Sequence, residues 1–294
     1  MSAKIRTIVV GVEARSEPDP VLRPAIELAA RLEATLHVVQ GFMFTDPLLD
    51  AYAGAGYLRP ETIASFGRDL QATLERQVEA ITDRTSGRVH TVAGPPCPAI
   101  IEAANEVGAE LIIVGATRHG SFPLSLLGST SRAVLKRSPV PVLMMRPGVP
   151  PIPRKLLLPT DLSASSGSAL QLVLALAEGA PEGGPEIRAL LVIDESLLRL
   201  PLEQRLLRKV AEEQLSEFLQ SAAPEAKPMQ QVIRCGKPAV EILAEAKSWE
   251  ADLMVLGTHG RKGLDRVLLG SVAEAAIRNA PCNVLVVPQT REPR

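Results

Sequence analysis

Near the end of the chain, Gly257-Thr258-His259-Gly260-Arg261-Lys262 is followed by Gly270-Ser271, with nine residues between Gly260 and Gly270. Gly257 and Gly260 can adopt φ > 0 and let backbone N–H groups approach an anion without a Cβ in the way. Gly270-Ser271 opens a helical pattern from Val272 to Asn279, whose free N–H groups and dipole favour negative charge. Ser271 adds a hydroxyl donor. Hydrogen bonds of this charged kind are worth roughly 1.5–3 kcal/mol each, so three or four would hold a polyphosphate. Further upstream, Pro159-Thr160-Asp161 closes a strand-like run, and Asp161 can accept from ribose hydroxyls or a base edge. Val192, at the end of the next such run, offers apolar contact to a base.

Other chemistries find less support. His259 has no Asp or Glu partner at a useful spacing, and a histidine in a glycine turn serves more simply as a turn residue than as a general acid. Neither G-x-x-x-x-G-K-[ST] nor G-x-G-x-x-G occurs, which removes P-loop phosphotransfer and dinucleotide oxidoreduction as ready readings. Cys97, Cys235 and Cys282 lie far apart with no C-x-x-C pair, so neither a disulfide framework nor a cysteine zinc site is expected. They read as buried small apolar residues.

The elements that position these residues emerge when the chain is compared with itself. Val114-Gly115-Ala116-Thr117-Arg118-His119-Gly120, Gly128-Ser129 and Pro139-Val140-Pro141 precede Leu256-Gly257-Thr258-His259-Gly260, Gly270-Ser271 and Pro281-Cys282-Asn283 by the same 142 positions. Gly94-Pro95-Pro96 and Gly236-Lys237-Pro238 keep that displacement. The front halves match at other displacements: Glu13 with Asp161 at 148, and His37-Val38 with Leu191-Val192 at 154. Differences in loop length account for this, since closure entropy grows only slowly with length. The chain is a duplication, with the expected boundary in the proline-rich stretch Arg146-Pro147-Gly148-Val149-Pro150-Pro151-Ile152-Pro153. The domains are therefore read as residues 1–148 and 149–294.

Short apolar runs (Thr7 to Val12, Leu36 to Val39, Val89 to Ala93, Leu111 to Val114, Val140 to Met145) read as buried parallel strands. Helical patterns such as Pro98 to Val107 and Ala239 to Lys247 lie between or beside them. The fold class is α/β: two tandem doubly wound parallel sheets of five strands, order 3-2-1-4-5, flanked by helices. Ligands of such sheets collect beyond the carboxyl ends of strands 1 and 4. In the second repeat that is where Asp161 and the Gly257 peptide would face each other.

The Gly257-x-x-Gly260-x9-Gly270-Ser271 spacing, with Pro159-Thr160-Asp161 at the front, resembles the universal stress protein family in its tandem form, over nearly the whole chain. The resemblance implies an ATP-binding domain that pairs through its fifth strand, here as an internal pseudo-dimer, with a homodimer open. It assigns adenine contacts to Asp161 and Val192, ribose contacts to Gly257, and phosphate contacts to Gly260, Gly270 and Ser271. Pro159, Thr160, His259, Arg261 and Val272 complete the expected site, and Mg²⁺ would be an optional companion of the triphosphate rather than a protein-held metal. In the first repeat the corresponding positions are Glu13, Val38, Gly115, Arg118, Gly128, Ser129 and Thr130. Glu13 replaces the aspartate, and Arg118 replaces the second glycine. The arginine marks either a degenerate half or a side-chain phosphate ligand.

Composition bounds the rest. The chain has 294 residues, 46% hydrophobic and 22% charged, with a net charge of −1. A nucleic-acid or anionic-membrane surface would need a basic excess, and no apolar run reaches the roughly 18–20 residues of a bilayer span. Met1-Ser2-Ala3-Lys4-Ile5-Arg6 leads directly into a strand-like run, so the expectation is a cytoplasmic protein without a signal peptide. Phe42, Phe44, Tyr52, Tyr57 and Phe66 concentrate the chain's aromatics in one segment, either a helical hairpin covering the domain or a lid or partner surface. The expected function is a nucleotide-binding stress or signalling module without robust turnover. The alternatives are a ligand-independent dimerisation scaffold built on the fifth strands, or a slow ATPase.

Overall fold

The computed structural model describes residues 5–13, 17–43, 59–82, 87–116, 128–178, 184–194, 201–224, 229–257 and 270–288. The first repeat runs β1 (Thr7–Gly11), α1 (Leu22–Leu32), β2 (Thr35–Phe42), α2 (Pro60–Glu79), β3 (Val89–Ala93), α3 (Pro96–Glu106), β4 (Leu111–Gly115), α4 (Ser129–Arg137) and β5 (Val142–Met145). The second runs β6 (Lys155–Thr160), α5 (Ala164–Glu178), β7 (Glu186–Asp194), α6 (Pro201–Ala222), β8 (Gln230–Gly236), α7 (Pro238–Ser248), β9 (Leu253–Gly257), α8 (Ser271–Asn279) and β10 (Asn283–Val287). All ten strands form one sheet, in the order β3-β2-β1-β4-β5-β10-β9-β6-β7-β8. Each half has the expected 3-2-1-4-5 order and is parallel throughout. The two halves meet where β10 pairs antiparallel with β5, Leu285 opposite Leu143.

Alternate strand residues feed two apolar layers. Ile8, Val10, Leu156 and Leu158 pack with α1, α2, α5 and α6; Val9, Leu157, Met144 and Val284 pack with α3, α4, α7 and α8. Because corresponding helices share a face, the pseudo-twofold axis stands perpendicular to the sheet. The carboxyl edges of the two halves therefore open on opposite sides. The first strand of each repeat is anchored by one repeated device. Glu110 accepts the N–H groups of Arg6 and Thr7, and Asp252, its counterpart, accepts those of Arg154 and Lys155 at 2.8 and 3.0 Å. Gly94 and Gly236 both turn out of the third strand at positive φ, 135° and 154°, each ahead of a helix that starts on proline.

The register corrects one sequence pairing. Ile8 and Leu156 occupy equivalent places beside Leu111 and Leu253, and their partners on the second strands are Leu36 and Ile187. The second strands thus correspond at a displacement of 151, not 154, and the counterpart of Val192 is Gly41. Val38 lies mid-strand, 1% exposed, because β2 extends to Phe42 rather than ending near Val39. Cys97 and Cys282 are buried as expected, but Cys235 is exposed. Phe42 packs edge-on against Phe66 on α2, with ring centroids 5.4 Å apart. Residues 44–58, with the rest of the aromatic segment, lie outside the described residues. None of the described helices is long and apolar enough to cross a membrane.

At the linker, buried Asn283 acts as a clasp. Its Oδ1 accepts the Arg146 N–H at 2.8 Å, and its Nδ2 donates to the Pro150 carbonyl at 2.9 Å. Asn283→Ala leaves both linker groups unpaired and is expected to cost roughly 2–4 kcal/mol, read as a lower urea midpoint with an unchanged slope. On the far edge, His37 Nδ1 lies 3.1 Å from His90 Nε2. The Arg88 N–H also points at Nδ1, which makes Nδ1 the acceptor and His90 the donor. Burial holds both imidazoles below their ordinary pKa, helped at His37 by His90 and Arg88, and at His90 opposed by Glu106. The unfolded chain therefore takes up protons first as pH falls. The stability this pair contributes is complete above about pH 6.5 and lost below it. Unfolding free energies measured from pH 7.5 to 5 should fall less steeply in His90→Gln than in the wild type.

Candidate functional site

Among the described residues, the site of the second repeat is built around Pro159. Asp252 N–H donates to the Lys155 carbonyl, so by strand alternation residues 155, 157 and 159 turn their backbone groups toward β9. Proline has no N–H to offer there. The β6–β9 ladder accordingly stops at Leu157 beside Met254, whereas the equivalent β1–β4 ladder continues to Gly11 beside Val114. Toward β7 the pairing runs on to Thr160 beside Leu191. One step further brings Asp161 level with half-buried Val192.

The turn after β6 is closed by its own side chains. Thr160 Oγ1 accepts the Leu162 N–H at 3.0 Å, with Leu162 in the left-handed region at φ 64°. Asp161 Oδ1 accepts from the Ser163 N–H at 3.1 Å and from the Ser166 hydroxyl at 2.9 Å. Ser163 caps α5, its Oγ accepting the Ser166 N–H at 3.3 Å. These bonds fix the Asp161 carboxylate at the strand end. Ser165 is 2% exposed, and its buried hydroxyl has no hydrogen-bond partner among the described residues. Ser163, Ser165 and Ser166 were missed in the sequence, although the Ser163-x-x-Ser166 spacing is a capping signal.

Gly257 closes the other side, for a reason the sequence reading did not give. Its φ is not positive. Instead, a Cβ there would lie 2.3 Å from Ser165 Oγ and 3.1 Å from the Ser165 carbonyl carbon. The start of α5 rests on bare backbone at the end of β9. Beyond it, Gly270 precedes α8 in an extended conformation (φ −56°, ψ 147°), with no side-chain capping bond among the described residues. Ser271 and Val272 are exposed in its first turn. Glu274, also in that turn, is paired with Arg278 at 3.3 Å. His259, Gly260 and Arg261 lie outside the described residues.

The first repeat keeps the frame and changes the contents. Gly128 repeats the Gly270 conformation (φ −58°, ψ 145°), again with no side-chain capping bond among the described residues. Its N–H donates to the Ala116 carbonyl at 3.2 Å, and Ser131 donates to the Gly115 carbonyl, seating α4 on the end of β4. Ser129 is exposed and Thr130 half-buried in that first turn. Glu13 is exposed and its N–H is held by Asp19 Oδ2 at 2.9 Å. Gly41 stands where Val192 does, and a Cβ on it would lie 2.5 Å from Pro96 Cα. A side chain there is excluded by the start of α3. Among the described residues nothing lies within 4 Å of a Cβ built on Gly115. Arg118 is outside the described residues, and those described contain no cluster of three or more metal-type ligands.

Both halves match the pattern of the universal stress protein family, at residues 4–146 and 153–288. The chain belongs to the universal stress protein family. It is 29% identical over 295 residues to universal stress protein Rv2005c of Mycobacterium tuberculosis strain H37Rv, covering 96% of this chain and 97% of the relative. Universal stress protein MJ0531 of Methanocaldococcus jannaschii is 36% identical over 146 residues, 47% of this chain and 84% of that protein. Among solved structures, a universal stress protein from Archaeoglobus fulgidus superposes with a TM-score of 0.70 at 21% identity, over 97% of this chain and 98% of that one. The functionally unknown protein PA1789 of Pseudomonas aeruginosa gives 0.70 at 20% identity, over 97% and 92%. These two likenesses establish the tandem fold.

The two first glycines of this universal stress protein are therefore not interchangeable. Gly257→Ala should push the first turn of α5 off β9 at a cost of about 1–3 kcal/mol. Gly115→Ala should stay within about 0.5 kcal/mol of the wild type. Urea midpoints of the two variants provide the comparison.

Proposed function

We propose that the second repeat binds an adenine nucleotide, ATP, at the carboxyl ends of β6 and β9, and that the protein acts as a nucleotide-binding stress or signalling module without robust turnover. The observation that carries the reading is the difference between the halves. The second repeat presents Asp161, Val192 and bare Gly257 at the ends of strands 1, 2 and 4; the first presents Glu13, Gly41 and Gly115. Only the former combines an acceptor fixed at a strand end with an apolar side chain for a base. Thr160 and Pro159 shape the strand end, while Asp161 receives hydrogen bonds from the adenosine moiety. The ribose lies against the end of β9 at Gly257. The first-turn N–H groups of Ser271 and Val272, with Gly260 and Gly270, take the phosphates. Mg²⁺ would enter with the triphosphate. His259 and Arg261 are placed by sequence beside the phosphates and serve binding rather than proton transfer.

The scaffold alternative relies on the fifth strands, but β5 and β10 already pair with each other within one chain. That observation supports an internal pseudo-dimer and leaves those two edges without a free partner surface. Isothermal titration with ATP tests the proposal. It should return about one site per chain, and Gly260→Val should lower affinity at least tenfold, about 1.4 kcal/mol, without changing the ligand-free melting temperature. No heat of binding, together with no thermal shift on adding ATP, would overturn it.

A further inference from the structure

The two halves share more than a sheet junction. Arg146 follows β5 and belongs to the first repeat. Its backbone is pinned by Asn283, and its Nη2 donates to the Ile277 carbonyl at 3.3 Å. Ile277 is fully buried in the last turn of α8. The first turn of the same nine-residue helix begins at Gly270 and Ser271, about 10 Å away along the axis. A guanidinium at the carboxyl end stabilises the negative end of the helix dipole, as an anion does at the other. Beside Arg146, burial pushes the Cys282 thiol up to about 12, so it stays neutral at pH 7.

The arrangement is one-sided. In the first repeat α4 is closed from within that repeat: the Ser138 N–H donates to the Val134 carbonyl at 2.8 Å, and the Ser138 hydroxyl donates to the Val140 carbonyl. The residue corresponding to Arg146 at the end of the second repeat is Pro288, which has no side-chain donor to return the contact.

We infer that Arg146 is a positioning residue for the nucleotide site of the second repeat, setting the pose of α8 from the first repeat's side of the linker. The inference rests on the nucleotide reading above. A helix this short, held at its carboxyl end and packed along one face, transmits a displacement of that end to its first turn. Arg146 touches no ligand. Its effect is on how well the Ser271 and Val272 N–H groups are aimed.

The test is ATP titration of the wild type, Arg146→Met and Arg146→Lys, well below each protein's ligand-free melting temperature. Arg146→Met should weaken binding about fivefold or more, within the usual range of site coupling, with the number of sites unchanged. Arg146→Lys should recover most of the loss by restoring a charged donor. Equal affinities in all three proteins would overturn the inference and leave the nucleotide site standing. A wild type that binds no ATP would sink both. Hydrogen exchange on the wild type decides the matter even if Arg146→Met fails to fold. By reciprocity, ATP should slow exchange at residues 146–149 beyond any slowing in β2, and no such excess would also overturn it.

Discussion

The structure depends on the pairing of β5 with β10. A five-stranded, doubly wound half ends on a strand that is buried on both faces: Val142 to Met145 and Asn283 to Val287 are buried throughout. Left alone, such a strand would expose a row of unpaired backbone groups and invite association. Turning one half by a two-fold rotation lets each fifth strand satisfy the other, with Leu143 and Leu285 at the centre. The helices on either face then continue the two apolar layers across the junction. Asn283 belongs to the same joint, since it begins β10 and also holds the linker that the duplication requires. One rotation thus fixes the sheet, the two layers and the opposite placement of the two carboxyl edges.

Within that frame the halves have diverged at their strand ends rather than in their cores. Pro159 ends the ladder between the first and fourth strands in one half, while Gly11 lets it continue in the other. Gly257 is bare so that the start of α5 can rest on it, while Gly41 is bare so that the start of α3 can. Each glycine records where a helix approaches most closely, and that place differs between the repeats. A second divergence lies on the outer edge. Glu245, nearly inaccessible, is bonded by Arg188 and Arg234, and Arg188 stacks on Trp249 at 4.2 Å. The corresponding core of the first repeat holds Ala103 and Val107. A fully bonded carboxylate of this kind ties α7 to β7 and β8 without leaving a buried charge unpaired.

Much of the fold was legible in the sequence because repeated glycine and proline positions mark turns, and turns set register. The 142-residue displacement carried the third, fourth and fifth strands and the helices beside them, down to the first residue of α8 within one position. The second strands were misaligned by three residues because Leu36 to Val39 and the run around Leu191 are both aliphatic, and such runs slide past one another without a marker. Only the ladder from Ile8 to Leu36 and from Leu156 to Ile187 resolves them. Gly257 was placed in the site, but for its conformational freedom. Its actual reason is a contact with Ser165, ninety-two residues earlier in the chain, which no local pattern reveals. The serines around Asp161 were overlooked because short polar residues after a strand look like any turn.

One frame carries two unlike strand-end sites, and the proposed nucleotide belongs to the second repeat's. A crystal structure of the protein grown with ATP tests it most directly. Nucleotide density is expected against Asp161, Val192 and Gly257, with the phosphates at the start of α8, and none against Glu13, Gly41 and Gly115. Density in the first repeat alone, or at neither edge in crystals saturated with ATP, would contradict it.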